Sequence, residues 1–142
     1  MRAIRKLPDL RSLLAAIGAL LAVRTARALL PYRACERWLI RLGGRIRGTW
    51  MVGAGDPRRI ARAVSIAARR LPLRSTCLDR SRAARLLLAA AGKTARMRLG
   101  ARRIGGGGIE AHAWLEHDGR TIPGEGEGAG FTPFEASRGE GA

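Results

Sequence analysis

Hydrophobic positions change period part-way along the chain. Leu10, Leu13, Leu14, Ile17, Leu20 and Leu21 recur at helical spacing behind Arg2, Arg5, Lys6 and Arg11, and the pattern continues through Ala28, Leu29 and Leu30. Pro31 ends that helix and can start the next at Tyr32. Tyr32, Cys35, Trp38, Leu39 and Leu42 form its apolar stripe until Gly43-Gly44 stops it. Gly53 to Pro57 reads as a loop in which Asp56 caps a third helix with Pro57 at its first position. Ile60, Val64, Ala67 and Ala68 face inward there, and Leu71-Pro72 closes it. A fourth helix starts at Ser75 or Thr76 and stops at Gly92. Beyond it the period falls to two. Ala95, Met97 and Leu99 alternate with Thr94, Arg96 and Arg98, which predicts a strand from Thr94 to Gly100, and Gly105 to Gly108 follows as a flexible connector. Ile109, Ala111, Ala113 and Leu115 then alternate with Glu110, His112, Trp114 and Glu116, so His112 and Trp114 project from one side of a second strand. Asp118-Gly119 supplies a tight turn, and Arg120 to Ile122 returns. Gly124 to Gly130 reads as a loop holding Glu125 and Glu127, and Phe131-Thr132-Pro133-Phe134 offers apolar anchors before a polar tail. The expected class is α+β, a helical N-terminal half with a small antiparallel sheet. Residues 1–48 would be amphipathic helices packed on a core spanning 49–142, giving one compact domain overall.

The first helix admits three readings. A transmembrane span needs roughly 20 apolar residues, and Arg24 and Arg27 interrupt this run early. A secretory signal matches the basic start, the apolar stretch from Leu13 to Val23 and the cleavage-like Ala26-Arg27-Ala28. Arginine crowds that cleavage region, however, and helical periodicity runs past it. The preferred reading is an amphipathic helix packed on the domain, with peripheral membrane contact through this helix and a cytoplasmic location.

Charge sharpens the picture. The net charge is +16, but residues 1–103 carry +21 and residues 104–142 carry −5. Only Lys6 and Lys93 are lysines; the other basic side chains are arginine. Such a surface attracts polyanions and acidic peptides. The six aromatics form no interleaved basic–aromatic motif, which speaks against nucleic acid. The charge is read as a solvated face that adds attraction for a partner or an acidic peptide. The two cysteines, Cys35 and Cys77, fit neither a metal spacing nor a disulfide framework, consistent with a reducing compartment.

Cys35, on the apolar stripe of the second helix, reads as packing. Cys77 falls in the first turn of the fourth helix, where unpaired N–H groups, the positive end of the helix dipole, and Arg74 and Arg80 favour a thiolate. A thiol at a helix start facing a histidine on a sheet is a nucleophile–base arrangement, and the two need be neighbours only in the fold. Spacing alone leaves a buried thiol and an ordinary strand histidine as the simpler reading. His117, beside the turn, is expected to be exposed and inert. The four glycines from Gly105 do not cradle phosphate, since no helix start or Gly-Lys-Thr follows.

Ser-Thr-Cys-Leu-Asp-Arg-Ser, a Leu/Ala helix, Gly92, a short strand and Ala-His-Ala-Trp-Leu-Glu-His-Asp-Gly together resemble the leader peptidase of lasso peptide biosynthesis, in the transglutaminase-like branch of papain-type cysteine peptidases. The likeness extends upstream to Val23–Arg33 and downstream to Phe131–Phe134. The resemblance implies a papain-like core and removal of the leader from a ribosomally made precursor, with no cofactor and no metal. A separate ATP-dependent macrolactam cyclase would then close the freed peptide. Carried over by motif, Cys77 is the nucleophile and His112 the base. Thr76 and Leu78 flank the nucleophile and, with Trp114, make the substrate and oxyanion neighbourhood; Trp114 would shield the imidazole or merely pack. The family's third member, usually aspartate, lies about a dozen residues past the histidine, where this chain reads Pro123-Gly124-Glu125. Glu125 is the candidate for that role, Glu127 the next, and Asp118 a turn residue. The family's winged-helix-like recognition module has no counterpart in these 142 residues, which implies a separate leader-binding protein. Two rivals stand beside this reading: a basic nucleic-acid or membrane-surface adaptor, and an acyl-transferring relative that uses the same Cys–His pair with an amine acceptor.

Overall fold

Alanines, more than leucines, turn the first helix inward. The computed structural model describes residues 8–48, 56–72, 74–122 and 130–134. In α1 (Leu10–Leu29) the buried positions are Ala15, Ala16, Ala19, Leu20, Val23 and Ala26. Leu10, Leu14, Leu21 and Leu29 lie exposed. The leucine stripe expected from periodicity is therefore only partly the packed one. Small side chains let α1 approach α3 (Pro57–Arg70) and α4 (Cys77–Ala90) closely, and the larger residues are left on the outer face. By length and composition α1 could cross a membrane, yet a third of its apolar window is buried inside the protein.

Pro31 sits at the N-cap of α2 (Tyr32–Arg45), as its ring geometry favours. Gly43-Gly44 does not end this helix. Gly43 is buried inside it, and a Cβ there would lie 2.8 Å from the Ala89 Cβ, so the glycine marks the close crossing of α2 and α4. The Asp56 side chain accepts from the Arg58 N–H and caps α3, with Pro57 in its first turn. One core cluster joins α1 to α4 with Ala95, Leu115 and Ile122 from the sheet side.

The sheet runs β3-β2-β1-β4, antiparallel throughout. It comprises β1 (Arg96–Ile104), β2 (Gly108–His117), β3 (Arg120–Thr121) and β4 (Thr132–Pro133). β1 runs four residues beyond the predicted end. The glycines after it form no loose connector but a tight turn, with Gly106 and Gly107 at φ +90° and +85°, and Ile104 pairs with Gly108 across it. Asp118 and Gly119 adopt φ +50° and +72°, the left-handed values of the expected hairpin turn. The apolar face of β2 is buried only where helices cover it, at Ala113 and Leu115. Ile109 and Ala111, nearer the glycine turn, are exposed.

Candidate active site

Cys77 is the first residue of α4, and a closed set of bonds holds its turn. Thr76 Oγ1 accepts from the Asp79 N–H at 3.2 Å, while Asp79 Oδ2 accepts from the Thr76 N–H at 3.1 Å. This reciprocal capping box satisfies two of the donors a helix start leaves unpaired. Asp79 is buried, and Arg27 of α1 donates through Nη1 to both its oxygens, at 3.2 and 2.9 Å. Cys77 and Leu78 are half-buried beside it.

α4 meets β2 at the strand's edge. The Leu115 carbonyl accepts from Ile122 on the β3 side, so Ala113, two residues earlier, aims its carbonyl the same way. Among the described residues β3 pairs with Glu116 and His117 alone. Ser81 Oγ fills the place beyond it, donating to the Ala113 carbonyl at 3.3 Å. Past Ala90 the chain turns at Gly92 and enters β1 at Arg96, opposite Glu116, so the other end of α4 lies toward His112. Cys77 is one helical turn before Ser81, about 6 Å along the axis. Stepping back from Ala113 at about 3.3 Å per residue brings β2 to His112 and Ala111 at the same level.

His112 and Trp114 project from the face opposite Ala113 and Leu115, as alternation predicts. Their rings lie nearly parallel with centroids 6.3 Å apart, and Phe131 leans on His112 at 4.9 Å. Trp114 is buried over Gly100, the residue paired with His112 across the hairpin. The Arg102 guanidinium covers the outer side of Phe131 at 4.5 Å. Within this wall His112 Nε2 is buried and has no hydrogen-bond partner among the described residues. Glu125 and Glu127 lie outside those residues. No group of three His, Cys, Asp or Glu placed to hold a metal occurs among the described residues.

A family model described as the transglutaminase-like superfamily matches residues 19–136, from the middle of α1 to just past β4. The chain belongs to that superfamily. Its α+β architecture, a helix carrying a cysteine at its start beside a small antiparallel sheet, fits the papain-like core of the superfamily. Membership suggests a cysteine-peptidase or transglutaminase-type activity. No match was found among curated proteins or among solved structures.

The other sequence-level assignments divide. Cys35 is packed in the core, and burial pushes its thiol pKa up. His117 is not free: Nδ1 donates to the Thr94 carbonyl at 2.7 Å, and Nε2 lies 3.3 Å from Asp118. The ring ties the end of β2 to the segment leading into β1. Arg27, which the signal-peptide reading placed in a cleavage triplet, is instead an anchor of α4. Asp79 and Ser81 belong to the Ser-Thr-Cys-Leu-Asp-Arg-Ser motif, but the sequence reading gives them no role of their own. The Thr76-x-x-Asp79 spacing, a capping-box signature, could have found the first; nothing local reveals the second, whose partner is 32 residues away.

These contacts predict unequal losses. Asp79→Ala removes the carboxylate half of the box together with the Arg27 pair, while the residue 79 N–H still donates to Thr76 Oγ1, and should cost about 1–2 kcal/mol. Arg27→Ala leaves the box intact, and its half-exposed guanidinium is screened by water, so the loss should stay below about 1 kcal/mol. Urea unfolding of the two variants tests the order; since both remove the ion pair, a loss for Arg27→Ala as large as that for Asp79→Ala would mean that the pair, not the cap, holds the turn.

Proposed function

We propose that this chain is a cysteine endopeptidase that removes the leader from a ribosomally made lasso peptide precursor. What supports the reading is Cys77 at the capped start of α4, a helix whose Ser81 bonds the Ala113 carbonyl next to His112 on β2, together with the Ser-Thr-Cys-Leu-Asp and Ala-His-Ala-Trp motifs.

In this reading His112 takes the Cys77 proton as sulfur attacks the scissile carbonyl carbon. Backbone N–H groups at the start of α4, flanked by Thr76 and Leu78, meet the negative oxygen of the tetrahedral adduct. The adduct collapses as the C–N bond breaks, and the imidazolium returns its proton to the leaving amine. Water, deprotonated by His112, then attacks the thioester, releasing the leader's carboxylate and restoring the thiol. An imidazole that moves protons through one nitrogen is held by a partner on the other. The unpartnered, buried Nε2 is an atom such a partner would serve, and Glu125 fills that role, with Glu127 next. Trp114 and Phe131 keep water from the ring. A transferase would pass the same thioester to an amine, and superfamily membership supports either acceptor.

The enzyme works in the cytoplasm beside a separate leader-binding protein, and an ATP-dependent cyclase takes the freed peptide. A shallow site has little binding energy of its own for near-attack geometry, whereas a tethering partner raises the local concentration of the bond to about millimolar levels. The test is a precursor-cleavage time course. Slow cleavage by the chain alone, strong stimulation by the leader-binding protein and loss of that stimulation on a leaderless peptide are expected; full activity alone on a leaderless peptide refutes the two-component reading. In the same assay Glu125→Gln should slow turnover clearly and Glu127→Gln much less, and the reverse order would move the role to Glu127.

A further inference from the structure

A cavity of about 270 Å³ opens at the C-terminal end of α4, between α2 and the turn into β1. Its floor is apolar, formed by Leu39, Leu86 and Ala89, and basic side chains surround it. Among the described residues Glu36 is the one acid in its wall, and both its oxygens are engaged: Arg82 Nε at 2.5 Å and Arg85 Nη1 at 3.4 Å. Arg82 is buried, with its guanidinium 5.1 Å from the Tyr32 ring centre, so this pair is part of the packing. Arg47 and Lys93 face the same opening. Among the described residues, four cations against one carboxylate give the cavity lining a charge of +3. The C-terminal end of α4 offsets only about half a charge of that.

We infer that this cavity docks an acidic–apolar segment of the peptide substrate, on its leader side, and so acts as an exosite for Cys77. The inference rests on the peptidase reading above. Two magnitudes select this occupant. The volume falls just below the roughly 300 Å³ at which small-molecule pockets begin, so it suits one apolar side chain flanked by carboxylates. A folded partner would need a face of about 800 Å², more than such a cavity supplies. Ala89 lies twelve residues after Cys77, about 18 Å along the helix. An extended peptide spans that at about 3.3 Å per residue, so about six residues separate the docked segment from the scissile bond.

The test measures binding apart from turnover, by fluorescence anisotropy with full-length Cys77→Ala protein. The probes are a labelled twelve-residue peptide of alternating Glu and Leu, and its counterpart with Lys in place of Glu. The Glu peptide should bind and the Lys peptide should not. Arg47→Glu/Lys93→Glu should weaken binding at least tenfold, while Arg58→Glu/Arg59→Glu, an equal charge change on exposed α3 positions, should change it less than twofold. Circular dichroism checks that both double variants fold; should the cavity variant not fold, Arg47→Gln/Lys93→Gln takes its place. Equal losses in the two double variants, or indifference to peptide charge, overturn the proposal. So does displacement of the peptide by a single-stranded RNA oligonucleotide or by anionic vesicles that lose affinity in the cavity variant alike, since the cavity would then be a general polyanion site. Tight, cavity-dependent binding by a chain that cleaves no precursor even with the leader-binding protein present would retain the peptide-docking cavity and refute the peptidase; cleavage without such binding would do the reverse.

Discussion

Cys77→Ala is expected to abolish precursor cleavage, and Cys35→Ala to leave it near the wild-type rate. The contrast follows from placement. Cys77 is half-buried at the first position of a capped helix, whereas Cys35 is 1% exposed within the core. Losing the nucleophile removes the acyl-enzyme route altogether, and replacement of either member of a nucleophile–base pair is known to cost about as much as removing both. His112→Ala should therefore fall close to Cys77→Ala, and the double variant should be little worse than either. Cys35→Ala deletes only a sulfur from packed surroundings and should cost about 1 kcal/mol of stability. Alkylation gives a second readout. Iodoacetamide should label Cys77 in the native protein and reach Cys35 only on unfolding, because burial both blocks that thiol and raises its pKa. Equal activity losses from both alanine variants, or preferential labelling of Cys35, would remove Cys77 from the mechanism.

Gly100→Ala is expected to damage the site from a residue with no chemistry of its own. A Cβ there would stand 2.6 Å from the Thr132 carbonyl oxygen, 2.7 Å from Trp114 Cη2 and 2.9 Å from Cζ3. The backbone oxygen belongs to the β4 pairing and cannot swing aside, so Trp114 or β4 must move. Overpacking of this kind costs about 1–3 kcal/mol, several degrees of melting temperature in a chain of this length. The displaced indole lies against His112, so turnover and the near-ultraviolet circular dichroism of the tryptophans should fall together. Gly18→Ala, in α1, is the control. Nothing lies within 4 Å of its Cβ, and alanine in a helix interior should be neutral or stabilising by up to about 1 kcal/mol. An unchanged melting temperature and rate for Gly100→Ala would show that the Trp114 wall is not needed.

Local rules served where local physics decides. Asp56-Pro57, Thr76 and Asp118-Gly119 act as their cap and turn chemistry predicts, because each satisfies its own neighbours' backbone groups. Periodicity failed where packing chooses between faces. α1 buries alanine because a close helix crossing rewards small side chains, and Gly43 lies within α2 because Ala89 leaves no room for a Cβ. The glycines after β1 were read as slack, although two of them adopt the positive φ that a short hairpin turn requires. In the site, Cys77 and His112 were visible as motifs. The Ser81 bond to the edge of β2 joins two segments whose encounter no window of sequence contains.

The same bonds impose an order of events on the newborn chain. The Arg27–Asp79 pair spans 52 residues and the Ser81–Ala113 bond 32, and both converge on the first two turns of α4. Helix formation and closure of the β1–β2 hairpin need only nearby residues and take microseconds. Contacts so distant along the chain must first overcome the entropy of closing long loops, and they form later. In refolding, helical circular dichroism should thus recover before peptide hydrolysis. A ribosome-bound chain that has exposed α4 but not yet β2 carries the thiol without the histidine strand, so under the proposed mechanism the nascent protein would lack its nucleophile–base pair until its sheet is made.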